Sequence, residues 1–213
     1  MILRKSLQLA RRFRRGIEVR RLHRLIERAP ADNVFLHLGC GGRLFDGWIN
    51  IDLMSMGPRP DVLLDLSQGL PAADHSVDRI YSEDFLEHIT RDSGRRLLAD
   101  CYRVLKPGGV MRLLTPDLKQ FVQKYIERNE NTLAWYRDQF GCRTFGEMLN
   151  AGLREWGHQF VYDEETLLER LTEIGFEVRK RSFGKSDEPL FQNRDSRNSA
   201  EGSLSLYLDC YRV

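Results

Sequence analysis

The chain has 213 residues, 33 Lys and Arg against 31 Asp and Glu for a net charge of +2, and 41% hydrophobic content. Those proportions suit one soluble globular domain and exclude a disordered chain, and its short apolar runs fall far below the roughly 18 residues that span a bilayer. The near-neutral total hides an asymmetry: residues 1–28 hold ten basic and two acidic side chains, a net +8, while the other 185 hold 23 basic and 29 acidic ones, a net −6.

In chain order, Leu3, Leu7, Ala10, Phe13 and Ile17 recur at helical spacing, and Leu22, Leu25, Ile26 and Ala29 repeat the pattern after Gly16. This predicts two short amphipathic helices ended by Pro30, a basic arm over residues 1–29 ahead of a domain at 30–213. From Val34 short β-rich runs follow at 34–38, 48–53, 61–66, 76–82 and 110–115. Between the last two, Leu97, Leu98, Cys101, Val104 and Leu105 form a helical stripe that stops at Pro107-Gly108-Gly109, a crossover helix and a turn into a strand. Residues 117–157 are predicted helical with breaks near Asn129, Gly141 and Gly157, a cap inserted after the fifth strand. Asp163 is placed to N-cap a helix over 164–174 and Gly175 to close it. Strands are predicted at 176–182 and 203–213, and the polar stretch 183–202 between them is predicted to be a mobile loop or hairpin connection. Strands interleaved with helices make a doubly wound α/β sheet, whose ligands sit at the carboxyl ends of the strands near the switch point.

The four cysteines lie 61, 41 and 68 residues apart, with no C-x-x-C and no His at ligand spacing, so neither a metal site nor a disulfide framework is expected. The first 15 residues lack the apolar core of a secretory signal, which points to a reducing, cytoplasmic setting; an Arg-rich start is also similar to a mitochondrial transit peptide, ranked second.

The most informative stretch is Leu36-His37-Leu38-Gly39-Cys40-Gly41-Gly42, a glycine turn directly after a strand, with Asn50-Ile51-Asp52 ending the next strand. Glycines let a backbone approach a ligand with no Cβ in the way, and a carboxylate at the second strand tip can accept both hydroxyls of a ribose. A nicotinamide site would put that acid roughly 20 residues beyond the first glycine. Asp52 lies 13 after Gly39, which disfavours the dinucleotide reading. Gly42 to Gly47 is only six residues, whereas a parallel crossover with a full helix takes about a dozen or more. The first crossover helix is therefore one turn or absent, and the second half of the arm, about 17–28, is expected to cover the sheet face left bare.

Asp65-Leu66 after the third strand, Ser76-Val77-Asp78 opening the fourth, Leu86-Glu87-His88 after it, and the run Arg103 to Gly109 before the fifth complete an ordered series. From about Val34 to Val213 that series resembles class I S-adenosylmethionine-dependent methyltransferases. With Gly47-Trp48-Ile49, Tyr81, Thr115-Pro116-Asp117-Leu118, His158 and Tyr162-Asp163 it looks like the small bacterial methyltransferases associated with polysaccharide and lipopolysaccharide biosynthesis. The resemblance implies a seven-stranded, mostly parallel sheet of order 3-2-1-4-5-7-6 with the seventh strand antiparallel, and S-adenosylmethionine as cofactor. The chain departs from the pattern at His37, where such enzymes usually carry an acid, and at Arg43, where many have glycine.

Cofactor-binding candidates are therefore His37, Gly39, Gly41 and Asp52, with Asp65 and Leu66 flanking the adenine and Ser82 and Glu83 bordering the methionine part. A base near neutral pKa would help deprotonate a hydroxyl acceptor, and His158, His88 and Asp117 are the candidates for the base. Each has a structural alternative: a satisfied histidine for His158, a loop-fixing role for His88, an N-cap for Asp117. The expected function is O-methylation of a sugar of a surface glycan or its precursor. RNA or protein methylation lacks the Asn-Pro-Pro-Tyr signature, since Ser82-Glu83-Asp84-Phe85 stands there; a non-catalytic methyltransferase-like binding protein is the third reading. The Arg-rich, apolar-striped arm is expected to dock on an anionic membrane on the cytoplasmic face rather than on nucleic acid.

Overall fold

The computed structural model describes residues 2–196 and 204–213, with side chains from Phe13 onward. The elements are α1 (Ile2–Arg28), β1 (Phe35–Leu38), β2 (Ile49–Asp52), β3 (Val62–Leu63), β4 (Val77–Glu83), α2 (Arg91–Val104), β5 (Leu105–Pro116), α3 (Leu118–Ile126), α4 (Glu130–Phe140), α5 (Phe145–Arg154), α6 (Glu164–Ile174), β6 (Phe176–Lys180) and β7 (Ser205–Arg212). The strands form one sheet of order β3-β2-β1-β4-β5-β7-β6. β1 to β5 pair in parallel, and β7 runs antiparallel to both β5 and β6. This is the class I methyltransferase topology.

Side chains alternate across the strands and divide the core in two. Leu36, Leu38, Ile49, Ile51, Ile80, Met111, Leu113, Leu206 and Leu208 face a large cluster that includes Leu97, Leu98 and Cys101 of α2, Leu167 and Leu171 of α6, and Leu22 of α1. Tyr81, Val110, Leu114 and Tyr207 face the opposite side, where Phe45, Trp48 and Phe191 close over them. The first crossover carries no helix, as its length requires, but the expected role of the arm needs correcting. The bridge from β1 to β2 lies on the Phe45 and Trp48 side, while α1 packs on the other face with α2 and α6. The only helical turn described between β3 and β4 is a single 3-10 turn at Leu66–Gln68, so α1 fills the room left there, and aromatic side chains cover the face of the short crossover.

α1 is also one helix rather than two. Gly16 in a helix interior costs only about 1 kcal/mol relative to Ala. The turns around it are tied to the sheet edge: Arg15 Nη1 donates to Asp65 O at 2.9 Å and the Leu63 amide donates to Glu18 Oε2 at 3.1 Å. Glu18 is buried at 6% exposure, its charge spent on an amide that an edge strand would otherwise leave unpaired.

The stretch after β6 reads from sequence as a mobile loop or a hairpin connection. Residues 183–196 instead pack against the second face: Phe191 is fully buried and Asp195 accepts from Arg112 Nη2 at 2.6 Å and from the Gly184 amide at 2.7 Å. Arg112 also donates to Asp209 Oδ1 at 3.0 Å, so a buried arginine between two buried carboxylates latches the segment to β5 and β7. The rest of the predicted loop, 197–202, and the first residue of the predicted last strand lie outside the described residues.

Leu22 has no exposed surface, so Leu22→Ala is expected to lower the unfolding free energy by about 2–5 kcal/mol in a urea titration. An unchanged midpoint would mean that α1 stands apart from the core.

Candidate active site

A cavity of about 620 Å³ opens at the carboxyl ends of the parallel strands, between β1 and β4 where strand order reverses. Its first half is built by loops. Gly39 follows β1 at φ +67°, and its amide donates to Ile51 O at 2.9 Å; a Cβ there would sit 2.4 Å from Phe85 Cβ, so the turn and its close approach to the β4 loop both require glycine. Gly41, at φ +54°, donates its amide to Asp52 Oδ2 at 2.8 Å, and a Cβ added there meets nothing within 4 Å because it would enter the cavity. The Met54 amide donates to Asp52 Oδ1 at 3.2 Å. The Asp52 carboxylate is thus fixed by one amide on each oxygen, with lone pairs left toward the cavity.

Asp65 caps the 3-10 turn after β3, accepting from the Ser67 amide and hydroxyl and from Gln68. Partial burial pushes its pKa up, but those hydrogen bonds and Arg15 outweigh it and hold the group below the usual carboxylate value. Leu53, Met54, Met56, Leu64 and Leu66 supply an apolar wall beside it.

The second half is aromatic and basic. Phe121, Trp135, Tyr136 and Trp156 line it, together with Glu87, His88 and His158. Glu87 has no exposed surface, and Thr115 Oγ1 donates to its Oε2 at 3.1 Å. His158 Nδ1 donates to Gly152 O at 3.1 Å, which assigns the lone pair to Nε2, 3.9 Å from Glu87 Oε1. The His88 and His158 rings meet edge to face at 5.0 Å. Trp156 and Gly157 are both left-handed, at φ +59° and +79°, and this reversal after α5 returns His158 toward Glu87; such strain in a non-glycine residue concentrates at functional sites.

Of the residues singled out from sequence, Gly39, Gly41, Asp52, Asp65, Leu66, His88 and His158 share the cavity. Four do not line it. Asp117 N-caps α3, accepting from the Lys119 amide at 3.0 Å and Gln120 Nε2 at 2.9 Å. Ser82 is buried within β4. Glu83 accepts from Arg43, Tyr81 and the Ser196 amide, tying the glycine loop to the latched segment. His37 points to the aromatic face, stacked on Phe45 at 4.1 Å with Nδ1 donating to Asn50 Oδ1 at 3.3 Å. Sequence reasoning did not single out Glu87 or the tryptophans. Glu87 belongs to the Leu86-Glu87-His88 run, but its partners Thr115 and His158 are 28 and 71 residues away.

A family profile described as "Methyltransferase domain" matches residues 53–113. No curated protein matches the chain. Among solved structures, the chain is similar to a SAM-dependent methyltransferase from Archaeoglobus fulgidus, at 17% identity and a TM-score of 0.52 over 92% of this chain and 94% of that one. It is also similar to an S-adenosylmethionine-dependent methyltransferase from Mesorhizobium loti, at 18% identity and a TM-score of 0.53 over 86% and 93%. The chain has the class I methyltransferase fold, and both of these neighbours are described as dependent on S-adenosylmethionine. The cavity fits that molecule: a cradle open at Gly41, a fixed carboxylate at Asp52 for ribose hydroxyls, and an apolar wall for a base.

Burial disfavours the charged form of His37 and lowers its pKa from 6.5 to about 4. In the unfolded chain the ring takes up its proton near 6.5, so its contribution to stability is complete above that pH and is lost as pH falls from 6.5 to about 4. At about 1.4 kcal/mol per pH unit this amounts to about 3 kcal/mol. Urea titrations across that window should show wild type losing about that much more stability than His37→Phe; parallel curves would contradict a neutral His37.

Proposed function

We propose that the chain transfers the methyl group of S-adenosylmethionine to a hydroxyl of a sugar, in a surface polysaccharide or lipopolysaccharide or in its precursor. The observation that carries this reading is the His158 and Glu87 pair beside the aromatic cup: both residues line the cavity, with Nε2 of His158 3.9 Å from a fully buried carboxyl group. When bound, S-adenosylmethionine supplies a methyl carbon on a sulfonium sulfur that leaves as a neutral thioether.

The protein then has to orient the acceptor, remove its proton and exclude water. A sugar ring presents C–H edges to the faces of Trp135, Tyr136 and Trp156, which hold it without consuming its hydroxyls. The acceptor hydroxyl would give its proton to His158 Nε2 as it takes the methyl group that the cofactor would supply. Nδ1–H stays on Gly152 O, keeping the tautomer fixed, and Glu87 stabilises the imidazolium that forms. Thr115 holds Glu87 by its other oxygen. Asp52 and the Gly39 to Gly41 turn, which line the cavity, would hold the ribose and methionine side, and Asp65 with Leu66 would flank the adenine. Asp117, occupied as a cap, takes no part in proton transfer.

His158→Ala should lower kcat by about 10²–10⁴ and leave cofactor affinity within about twofold, whereas Asp52→Ala should weaken cofactor binding measured by calorimetry. Undiminished turnover in the first variant would overturn the base assignment, and undiminished affinity in the second would overturn the ribose contact. Mass spectrometry of nucleotide-sugars and glycans incubated with labelled cofactor identifies the product; label entering only RNA or protein would overturn the sugar acceptor.

We also propose that α1 docks the enzyme on an anionic membrane surface. Its inner side is spent on the core through Arg15, Glu18 and Leu22, while Phe13, at 71% exposure, and Ile17 face outward with Arg14, Arg20, Arg24 and Arg28. Apolar side chains ringed by arginines suit the headgroup boundary. Replacing Phe13 by Asp with Arg20 and Arg24 by Glu should abolish co-sedimentation with phosphatidylglycerol vesicles; retained binding would discard the docking.

A further inference from the structure

We propose that Glu87, His88 and His158 form a seat for a first-row transition dication of the zinc class, and that an ion there silences methyl transfer. The second half rests on the reading of His158 as proton acceptor; the first stands on geometry alone.

One carboxylate oxygen and one nitrogen of each imidazole lie within 4.8 Å of one another, and all three residues line the cavity. Two donors on one ion, each about 2.1 Å from it, are at most about 4.2 Å apart. The 3.9 Å between His158 Nε2 and Glu87 Oε1 already meets this limit, and a small side-chain rotation brings in the third donor. Glu87 and His88 are neighbours in the short turn after β4, and His158 arrives from the reversal after α5, so donors distant in sequence converge from two separate turns.

The surroundings match those of metal ligands. A ligating imidazole gives its other N–H to a carbonyl or carboxylate, and a ligating carboxylate is itself hydrogen-bonded. His158 Nδ1 donates to Gly152 O, and Glu87 Oε2 accepts from Thr115. Two imidazoles with one carboxylate favour zinc, cobalt, nickel or ferrous iron over magnesium or calcium, which prefer oxygen donors throughout. Three protein ligands facing a cavity leave positions open for water or an acceptor oxygen. The cysteine spacing and scattered histidines gave no sign of such a site, because the fold rather than the sequence brings the donors together.

A nitrogen lone pair bonded to a metal cannot receive a proton. Occupancy therefore removes the His158 base while leaving the donor half of the cavity untouched, so inhibition by the ion should not be relieved by raising cofactor concentration.

The test uses the full chain freed of metal with a chelator and then titrated with zinc chloride by calorimetry and with cobalt chloride by visible absorption. One ion per chain is expected, with affinity at least tenfold weaker in His88→Ala and in His158→Gln, each checked for wild-type folding by circular dichroism. Zinc should reduce turnover, EDTA should restore it, and His88→Ala should need at least tenfold more zinc for half-inhibition of its own basal rate. Absence of one-to-one binding, or equal affinity in all three proteins, would overturn the seat; turnover that rises with zinc would overturn the silencing. The cobalt spectrum needs no turnover, so it decides the seat even if the sugar acceptor is wrong.

Discussion

The ten residues between the end of β1 and the start of β2 are too few to carry a helix across one face of a parallel sheet, and much of the molecule is arranged around that shortage. A bare sheet face exposes apolar side chains that have to be covered from elsewhere. Phe45 and Trp48, from the short bridge itself, do part of this, and Phe191 arrives from the far end of the chain to complete it. His37 and Asn50 lie beneath them at the same register, Asn50 bonding Phe45 through its amide and carbonyl, so the bridge is pinned to the two strands it joins. The departure of His37 from the usual acid has its cause here: stacking on Phe45 in an aromatic pocket suits a neutral ring.

The segment that brings Phe191 carries no regular element beyond one 3-10 turn at Pro189–Phe191, so its position depends on the ion cluster. Burial pulls the Arg112 pKa down, but Asp195 and Asp209 outweigh it and keep the guanidinium charged. A buried pair of this kind adds little net stability, because desolvation offsets most of the attraction, but losing one partner costs about 3–5 kcal/mol. Its value is therefore positional: Asp195 holds the segment in one place, Ser196 next to it donates to Glu83, and Glu83 takes Arg43 of the glycine loop. Arg43, which stands where a glycine is usual, makes the connection that the shortened crossover cannot.

Much of this was legible locally. The Asp163 cap and Gly175 stop bound α6 because both act within one turn of their own backbone, and the breaks at Asn129 and Gly141 mark the ends of α4 for the same reason. Periodicity marks the strands but not which sheet face each neighbour covers, so the length of the first crossover tells that a face is bare without telling which helix covers it. Gly16 reads as a break by propensity alone, but the Arg15 and Glu18 anchors, whose partners lie about 50 residues on, carry α1 through it. The segment 183–196 looks polar in sequence, and the partners that bury Phe191, Ser186 and Asp195 (Trp48, Asp209 and Arg112) are distant along the chain. In the cavity, the convergence of turn glycines and a strand-end carboxylate is legible in the sequence, whereas Glu87 gains meaning only from Thr115 and His158.

The cavity's two halves rest on different supports. The glycine-loop half sits on strand ends whose backbones are fixed by the sheet ladder, and its polar groups are amides and capped carboxylates with little freedom. The aromatic half is carried largely by α3, α4 and α5, which have a core of their own: Phe121, Leu133, Tyr136, Phe145 and Met148 pack together with Leu204. Gly152 lies against Phe121 so closely that a Cβ would approach its ring to 2.4 Å, and it is the carbonyl of this same glycine that holds His158. The packing of the cap thus sets the direction of the His158 ring. A substitution that loosens α3 against α5 would turn the His158 ring while leaving Asp52 where it is, so the two halves of the cavity are mechanically separate in this fold.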